Sequence, residues 1–267
     1  MSTALINVMS AAAIKAGKGL LRDFSEVDHL QVSRKGTANF VTVADTRTEK
    51  LLVAELKKVR PTYGFLLEEG GEIKGKDDKF RWIIDPLDGT SNFIHAIPYF
   101  CISIGLEERK ADGSAEIVAG VIFDPIHNEL FAAEKGKGAF LNGRKITVSS
   151  RNTIMDSLLV TGNPGSAPMQ NGKSFELLSH VIEQGAILRY FGATALDLAY
   201  VACGRYDACW YYVAQAWDIA AGILLVQEAG GTVTTLEGKA ITPECKALVA
   251  TNKHIHAPVQ KLFTTFA

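Results

Sequence analysis

The segment Trp82-Ile83-Ile84-Asp85-Pro86-Leu87-Asp88-Gly89-Thr90-Ser91-Asn92 constrains this chain more than any other. An apolar run ends in an acid, a proline-containing turn, a second acid, and then glycine and hydroxyl residues. Such a run, bounded by turn residues, predicts a strand at 81–84. Asp85 and Asp88 lie three apart across the turn, so both carboxylates can converge on one point. Hard divalent cations such as Mg²⁺ take oxygen ligands of this kind, and the Leu87 carbonyl is a further oxygen within reach. Gly89 and Thr90 are placed to open a helix, whose free N–H groups suit a phosphate. An ordinary turn with Asp88 capping a helix explains the Asp-Gly pair alone. The whole segment favours a site.

Other carboxylates also sit at the ends of predicted elements. Glu68-Glu69 follows the apolar stretch Phe65-Leu66-Leu67. Adjacent acids repel unless something positive neutralises them, and both a metal and a solvated turn satisfy that demand. Asp218 follows Trp217 at the head of an apolar helix, where N-capping is the simplest reading. Asp45 either caps or begins a helix, or serves as a catalytic carboxylate. The whole chain carries 28 Lys and Arg against 29 Asp and Glu, a net charge of −1. That balance argues against a polybasic binder of nucleic acid or anionic membrane.

The 267 residues suit one large domain or two small ones. Helices are expected at 2–24, at 45–59 before Pro61, at 174–184, at 193–203 before Gly204, and at 218–229 before Gly230-Gly231. Strands are expected at 39–42, 64–67, 81–84, 99–106, 116–123, 129–133, 138–141, 157–161, 207–212, 232–235 and 247–251. Residues 148–155 form a polar boundary between halves, and 164–172 a loop rich in Gly, Pro, Ser and Asn. Interspersed helices, hairpins and crossovers imply a layered α/β or α+β architecture with mixed sheets. No run reaches the ~18 apolar residues that span a bilayer. Cys101, Cys203, Cys209 and Cys245 include no Cys-x-x-Cys pair, so they read as free thiols of a cytoplasmic protein.

Four blocks in fixed order carry a resemblance: Phe40-Val41-Thr42-x-x-Asp45, Glu68-Glu69, Asp85 through Phe93, and Trp217-Asp218-Ile219-Ala220-Ala221-Gly222. With Gly136-x-Gly138-Ala139-Phe140-x-Asn142-Gly143 and Glu228-Ala229-Gly230-Gly231, they resemble the inositol monophosphatase family over nearly the whole chain. The nearest likeness is to the bacterial inositol-1-monophosphatase, or extragenic-suppressor-like, type. The resemblance implies an α-β-α-β-α sandwich of the sugar phosphatase fold. It implies one phosphatase domain over 1–267, with a metal-binding half at about 1–150 and a substrate-side half at 151–267. It also implies a cytoplasmic, lithium-sensitive homodimer hydrolysing phosphate monoesters with two or three Mg²⁺ per active site. Carried over by residue, Glu68, Asp85 and the Leu87 carbonyl look like ligands of one metal. Asp85, Asp88 and Asp218 look like ligands of a second. Thr90, supported by Asp45 and Glu68, looks like the group orienting the attacking water. Gly89, Thr90 and Ser91 look like phosphate contacts. Gly192, Ala193 and Thr194, with Asp218, look like substrate contacts, and Lys35 matches a lysine near the metals. Two metals can hold both the attacking and leaving oxygens of an in-line displacement, so no covalent nucleophile is required. His95 reads as a rim residue, and His254 and His256 as surface residues.

The sequence departs from the family pattern on the leaving-group side. Tyr211 stands seven residues before Asp218, where the family commonly has a glutamate that binds substrate hydroxyls. A tyrosine can hydrogen-bond or stack there but supplies no carboxylate. Gly192-Ala193-Thr194-Ala195 also differs from the usual order, and Leu67 replaces a glycine before the Glu pair. The expected substrate is therefore inositol monophosphate or a similar small polyol phosphate. The alternatives are histidinol phosphate, fructose 1,6-bisphosphate or a nucleotide 3′-phosphate, or a non-enzymatic regulatory role linked to RNA metabolism.

Overall fold

The computed structural model describes residues 3–26, 32–36, 39–166 and 173–265, with side chains described for all of these except 32–36, 39–42 and 166. Helix α1 (Ala4–Phe24) begins at Thr3, whose hydroxyl accepts the Ile6 N–H at 3.3 Å. By length and composition α1 could cross a membrane, which corrects the expectation that no segment is long and apolar enough. Its stripe of Met9, Ala13, Ala16 and Leu20 is instead buried in the protein. Strands β1 (Val32–Gly36) and β2 (Asn39–Thr42) form an antiparallel hairpin. β2 leads directly into α2 (Val43–Val59), which starts two residues earlier than predicted. Asp45 therefore lies inside its first turn.

The next elements build the larger sheet: β3 (Gly64–Leu67), β4 (Gly71–Ile73), β5 (Phe80–Asp88), a short α3 (Thr90–Ile94), β6 (Cys101–Arg109), β7 (Ala115–Asp124), β8 (Glu129–Glu134), β9 (Ala139–Leu141) and β10 (Arg144–Ile146). Its order is β10-β9-β8-β7-β6-β5-β3-β4, with β3 parallel to β5 and the other pairs antiparallel. β5 runs four residues past its predicted end, through Asp88. Side chains alternate along it. Trp82 and Ile84 pack with α1 and α2, whereas Ile83 joins a core on the opposite face.

After the boundary come β11 (Leu158–Thr161), α4 (Lys173–Glu183), β12 (Ile187–Arg189), α5 (Thr194–Ala202), β13 (Ala208–Tyr211), α6 (Ala216–Glu228), β14 (Thr232–Thr234), β15 (Leu248–Thr251) and α7 (His256–Thr265). A 3-10 turn occupies Pro164–Ser166 in the expected loop, of which 167–172 lie outside the described residues. The second sheet has the order β12-β11-β13-β15-β14. Helices α5 and α6 lie between the two sheets, packed on each other and on β5 to β7. α6 comes so close that a Cβ on Gly120 of β7 would stand 2.9 Å from the Ala221 carbonyl oxygen. α4 and α7 cover the far face of the second sheet. The layers run α1/α2, large sheet, α5/α6, small sheet, α4/α7, which is the expected α-β-α-β-α sandwich.

The sequence reading anticipated none of β1, β4, β10, β12 and α7. Each of the four strands is three to five residues long and depends on its partner strand. In α7, Pro258 falls in the first turn, where its missing N–H is tolerated, while Val259, Leu262 and Phe263 are buried. His254 is exposed as expected. His256 is half-buried at the start of α7, with Nδ1 2.9 Å from Thr251 Oγ1, which corrects its reading as a surface residue.

Candidate active site

A register shift in the larger sheet brings the first two acids together. Along β5 and β6, Asp85 pairs with Ser103 and Asp88 with Cys101, so three steps on one strand match two on the other. Residues three apart on a regular strand face opposite sides. The extra residue at Pro86-Leu87 corrects that phase, because proline has no N–H for the ladder and a bulge accommodates it. Asp85 and Asp88 thus share the face toward α5 and α6, and both are buried. The Leu87 N–H donates to Asp85 Oδ1 at 2.9 Å, holding the turn.

Glu68 arrives from the parallel neighbour. Leu67 of β3 pairs with Ile84 of β5, and the Glu68 N–H donates to the Ile84 carbonyl at 3.3 Å, which places Glu68 beside Asp85. The two carboxyls are close enough for each to shift the proton affinity of the other. Asp218 arrives from α6, and the alignment comes from Ser103, directly opposite Asp85. The Ser103 hydroxyl donates to the Trp217 carbonyl at 3.2 Å. Asp218 Oδ2 also accepts the Gln215 N–H at 2.7 Å; Gln215, not Asp218, is the N-cap of α6, and Asp218 returns the capping-box bond from the third helical position.

Burial raises the proton affinity of all four acids, and repulsion between neighbours adds to it at Glu68, Asp85 and Asp88. Burial, chiefly, holds Glu68 at about 8 although the neighbouring Asp85 opposes the rise, and the charges of Asp218, Glu69 and Asp45 add to it. Asp85 lies well above the carboxylate range through burial and then Glu68. Asp88 does so through burial and then Asp218. Burial lifts Asp218 to about 6 against the pull of the Gln215 N–H. Among the described residues, buried Glu68 Oε2 has no hydrogen-bond partner. Four such oxygen donors fit a hard divalent cation in kind and in charge. Among the described residues, however, no three His, Cys, Asp or Glu side chains are already gathered around one point as metal ligands. Backbone amides hold one oxygen each of Asp85, Asp88 and Asp218 instead.

Thr90 opens α3, with its Oγ1 3.1 Å from Asp45 Oδ1 and 3.0 Å from the Leu87 carbonyl. Asp45 is fully buried. Gly89 precedes α3 with φ +94°, and a Cβ there would stand 2.9 Å from the Tyr99 carbonyl and 3.2 Å from Ala193 Cβ. The start of α3 therefore abuts the start of α5, where the Ala195 N–H donates to Asp88 Oδ2 at 2.6 Å. Gly192, Ala193 and Thr194 lead into α5 beside this contact, Gly192 with φ +82°. Ser91 and His95 are exposed at the rim, with His95 Nδ1 2.7 Å from the Ser91 carbonyl. Lys35 is on β1, and its side chain lies outside the described residues.

Tyr211, expected among the substrate contacts, lies inside the protein in this structure. It is only 4% exposed, and its hydroxyl donates to Asp197 Oδ2. Asp197 Oδ1 accepts the Tyr99 hydroxyl at 2.5 Å. The sequence reading missed Asp197, Ser103, Ala195 and Asn92, whose Nδ2 donates to the carbonyls of Tyr99 and Phe191, each at 2.8 Å. One signal for Asp197 was available: it is a lone acid in the apolar run Ala193 to Cys203. The others each have a partner far away in the chain, about 100 or more positions off.

Comparison with known proteins agrees with this architecture. The chain matches the inositol monophosphatase family over residues 1–265. It is 50% identical over 253 residues to an inositol-1-monophosphatase of Rhizobium meliloti, covering 95% of this chain and 93% of that one. It is 39% identical over 274 residues to a Nus factor SuhB of Xylella fastidiosa, covering 99% of this chain and 96% of that one. The crystal structure of the extragenic suppressor protein SuhB from Bartonella henselae superposes with a TM-score of 0.90 at 48% identity, covering 98% of each chain.

Proposed function

The chain belongs to the inositol monophosphatase family and is a phosphatase, and we propose that it uses Mg²⁺ to hydrolyse inositol monophosphate or a similar small polyol phosphate. The observation that carries this reading is that Glu68, Asp85, Asp88 and Asp218 lie near enough to act on one another's charge, each with its pKa raised, while Thr90 follows Asp88 by two residues. In our reading Glu68, Asp85, the Leu87 carbonyl, Asp88 and Asp218 hold two or three Mg²⁺. Bound there, the cations would offset the phosphate's charge, acidify a water and stabilise the departing oxygen.

The chain's own groups supply the rest. With its proton directed to Asp45, Thr90 Oγ1 has a lone pair to accept a hydrogen bond from the attacking water. Glu68 takes the proton that this water loses. The water oxygen bonds to phosphorus, the ester P–O bond breaks opposite it, and the leaving oxygen takes a proton from solvent water. Amides at Gly89, Thr90 and Ser91 face the non-bridging oxygens. Gly192, Ala193 and Thr194 border the leaving group, and Lys35 adds positive charge nearby. We read 1–267 as one phosphatase domain that works as a homodimer, inhibited by lithium. The free cysteines and the buried stripe of α1 support a cytoplasmic place for it.

Phosphate release from purified protein tests the reading, using inositol monophosphate, histidinol phosphate, fructose 1,6-bisphosphate and a nucleoside 3′-phosphate. Hydrolysis of the polyol phosphate that is lost with EDTA and restored by Mg²⁺ supports it. Preference for another phosphate moves the assignment to that substrate, and release from none of them overturns it. A second reading, a regulatory role, draws on the relative named Nus factor SuhB. A cellular role that survives Asp88→Asn would favour it.

A further inference from the structure

Asp197 is a fully buried acid to which the proposed chemistry assigns no task. It sits in the first turn of α5 and accepts two tyrosine hydroxyls from different parts of the chain. Tyr99 lies just before β6, beside the start of α3, and Tyr211 ends β13. Tyr99 reaches further, with its hydroxyl 3.2 Å from that of Tyr206 and its ring centroid 5.0 Å from that of Phe191. Stability alone does not call for such an arrangement, since a buried ionisable group can often be replaced by apolar packing without loss. A carboxylate with two directional donors instead fixes orientation.

Two short links connect this node to the acids. The Asp197 N–H donates to the Ala193 carbonyl at 3.0 Å, closing the first turn of α5. Within that turn, the Ala195 N–H points at Asp88 Oδ2. On the other side, the Tyr99 backbone is held by Asn92 and leaves no room for a Cβ on Gly89. These links join the positions of Tyr99 and Tyr211 to the start of α5 at Asp88 and to the start of α3.

We infer that Asp197 is a positioning residue that clamps Tyr99 and Tyr211 together and thereby aims the Ala195 amide at Asp88. This rests on the reading of Asp88 as part of the phosphatase site. The clamp joins the two halves of the chain across the floor of the site. Tyr211 belongs to the clamp rather than to the surface that meets the substrate.

The test compares wild type with Asp197→Asn, Tyr99→Phe, Tyr211→Phe and the double Tyr99→Phe/Tyr211→Phe. Asp197→Asn should lower kcat about 10-fold and raise the half-saturating Mg²⁺ concentration, with KM changed less than about 2-fold, as for loss of an outer partner of a metal ligand. Each Phe variant should do less, and the double variant should match Asp197→Asn, because both hydroxyls act through one carboxylate. Normal kcat, KM and Mg²⁺ dependence in the Asp197→Asn and double Phe variants, even with a lower Tm, would overturn the clamp. If Asp197→Asn does not fold, the Phe variants decide. Hydrogen exchange over 193–198 provides a readout that needs no turnover. Faster exchange in the variants supports the clamp even if wild type proves inactive, in which case the phosphatase reading fails separately. Unchanged exchange overturns the clamp.

Discussion

Asp88 and Asp197 are both buried in the same floor, yet their neighbours differ in kind. Asp88 faces Asp218, with Asp197 and Glu68 also raising its pKa, and its one amide bond does not offset burial. Asp197 meets two hydroxyl donors, which pull its pKa down against the rise that burial imposes. One group of acids is built with unbalanced charge, and the other is balanced within the protein. A set of like charges kept together at a cost to folding is what a cation site requires. A carboxylate with neutral donors is what a fixed joint requires. Changing one member of each group should therefore give different results.

The largest effect is expected from Asp218→Asn. It should reduce phosphate release about 10²–10³-fold, the scale of several kcal/mol of lost charge stabilisation. Tm should not fall, because the substitution relieves repulsion and the amide oxygen can still accept the Gln215 N–H. A large drop in Tm would erase the contrast with Asp197. Gly89→Ala comes next. With φ +94° and the Tyr99 carbonyl 2.9 Å from the new Cβ, it should cost about 1–3 kcal/mol in denaturant unfolding. Activity should fall with it, since α3 and the α5 start share that contact.

The pH dependence of stability separates the groups further. Burial raises Asp197 from 3.8 in the unfolded reference to about 7 in the fold, with Tyr99 and Tyr211 opposing. Between those values the folded protein keeps a proton that the unfolded chain has lost. Its stabilising contribution is complete below about pH 4 and declines as pH rises to about 7. The slope is at most about 1.4 kcal/mol per pH unit. Subtracting the Asp197→Asn profile from wild type should reveal that decline. Tyr99, Tyr211 and Cys209 face Asp197 with raised pKa values and stay protonated in this window, whereas Asp88 loses the upward push of Asp197 in the variant and adds its own smaller change to the difference. A flat difference would remove the distinction drawn here. The smallest effect belongs to Tyr206→Phe, which deletes only the 3.2 Å contact with Tyr99. It should change stability by about 0.5–1 kcal/mol and leave kcat unaltered.

Much of this molecule was legible before folding. The segment 82–92 announced its strand, turn and helix start, and α5 and α6 emerged from apolar runs closed by Gly204 and Gly230-Gly231. Asp218 was placed at a helix head, where it lies. Local rules reach this far because capping, turn chemistry and apolar periodicity act over a few residues. The start of α2 and the length of β5 were less legible, since a neighbouring strand can extend an element past its local signal.

The sequence by itself determined which acids stand at element ends and where the chain turns, because backbone preferences and apolar patterning are short-range. Only the tertiary structure decided that Asp85 and Asp88 share a face, through a register shift against β6. It also decided that Tyr211 serves a buried acid, and that Ala195 meets Asp88 across 107 positions of chain. Those pairings arise from the packing of α5 and α6 between two sheets, where burial makes every unpaired polar group costly and forces each to find a partner.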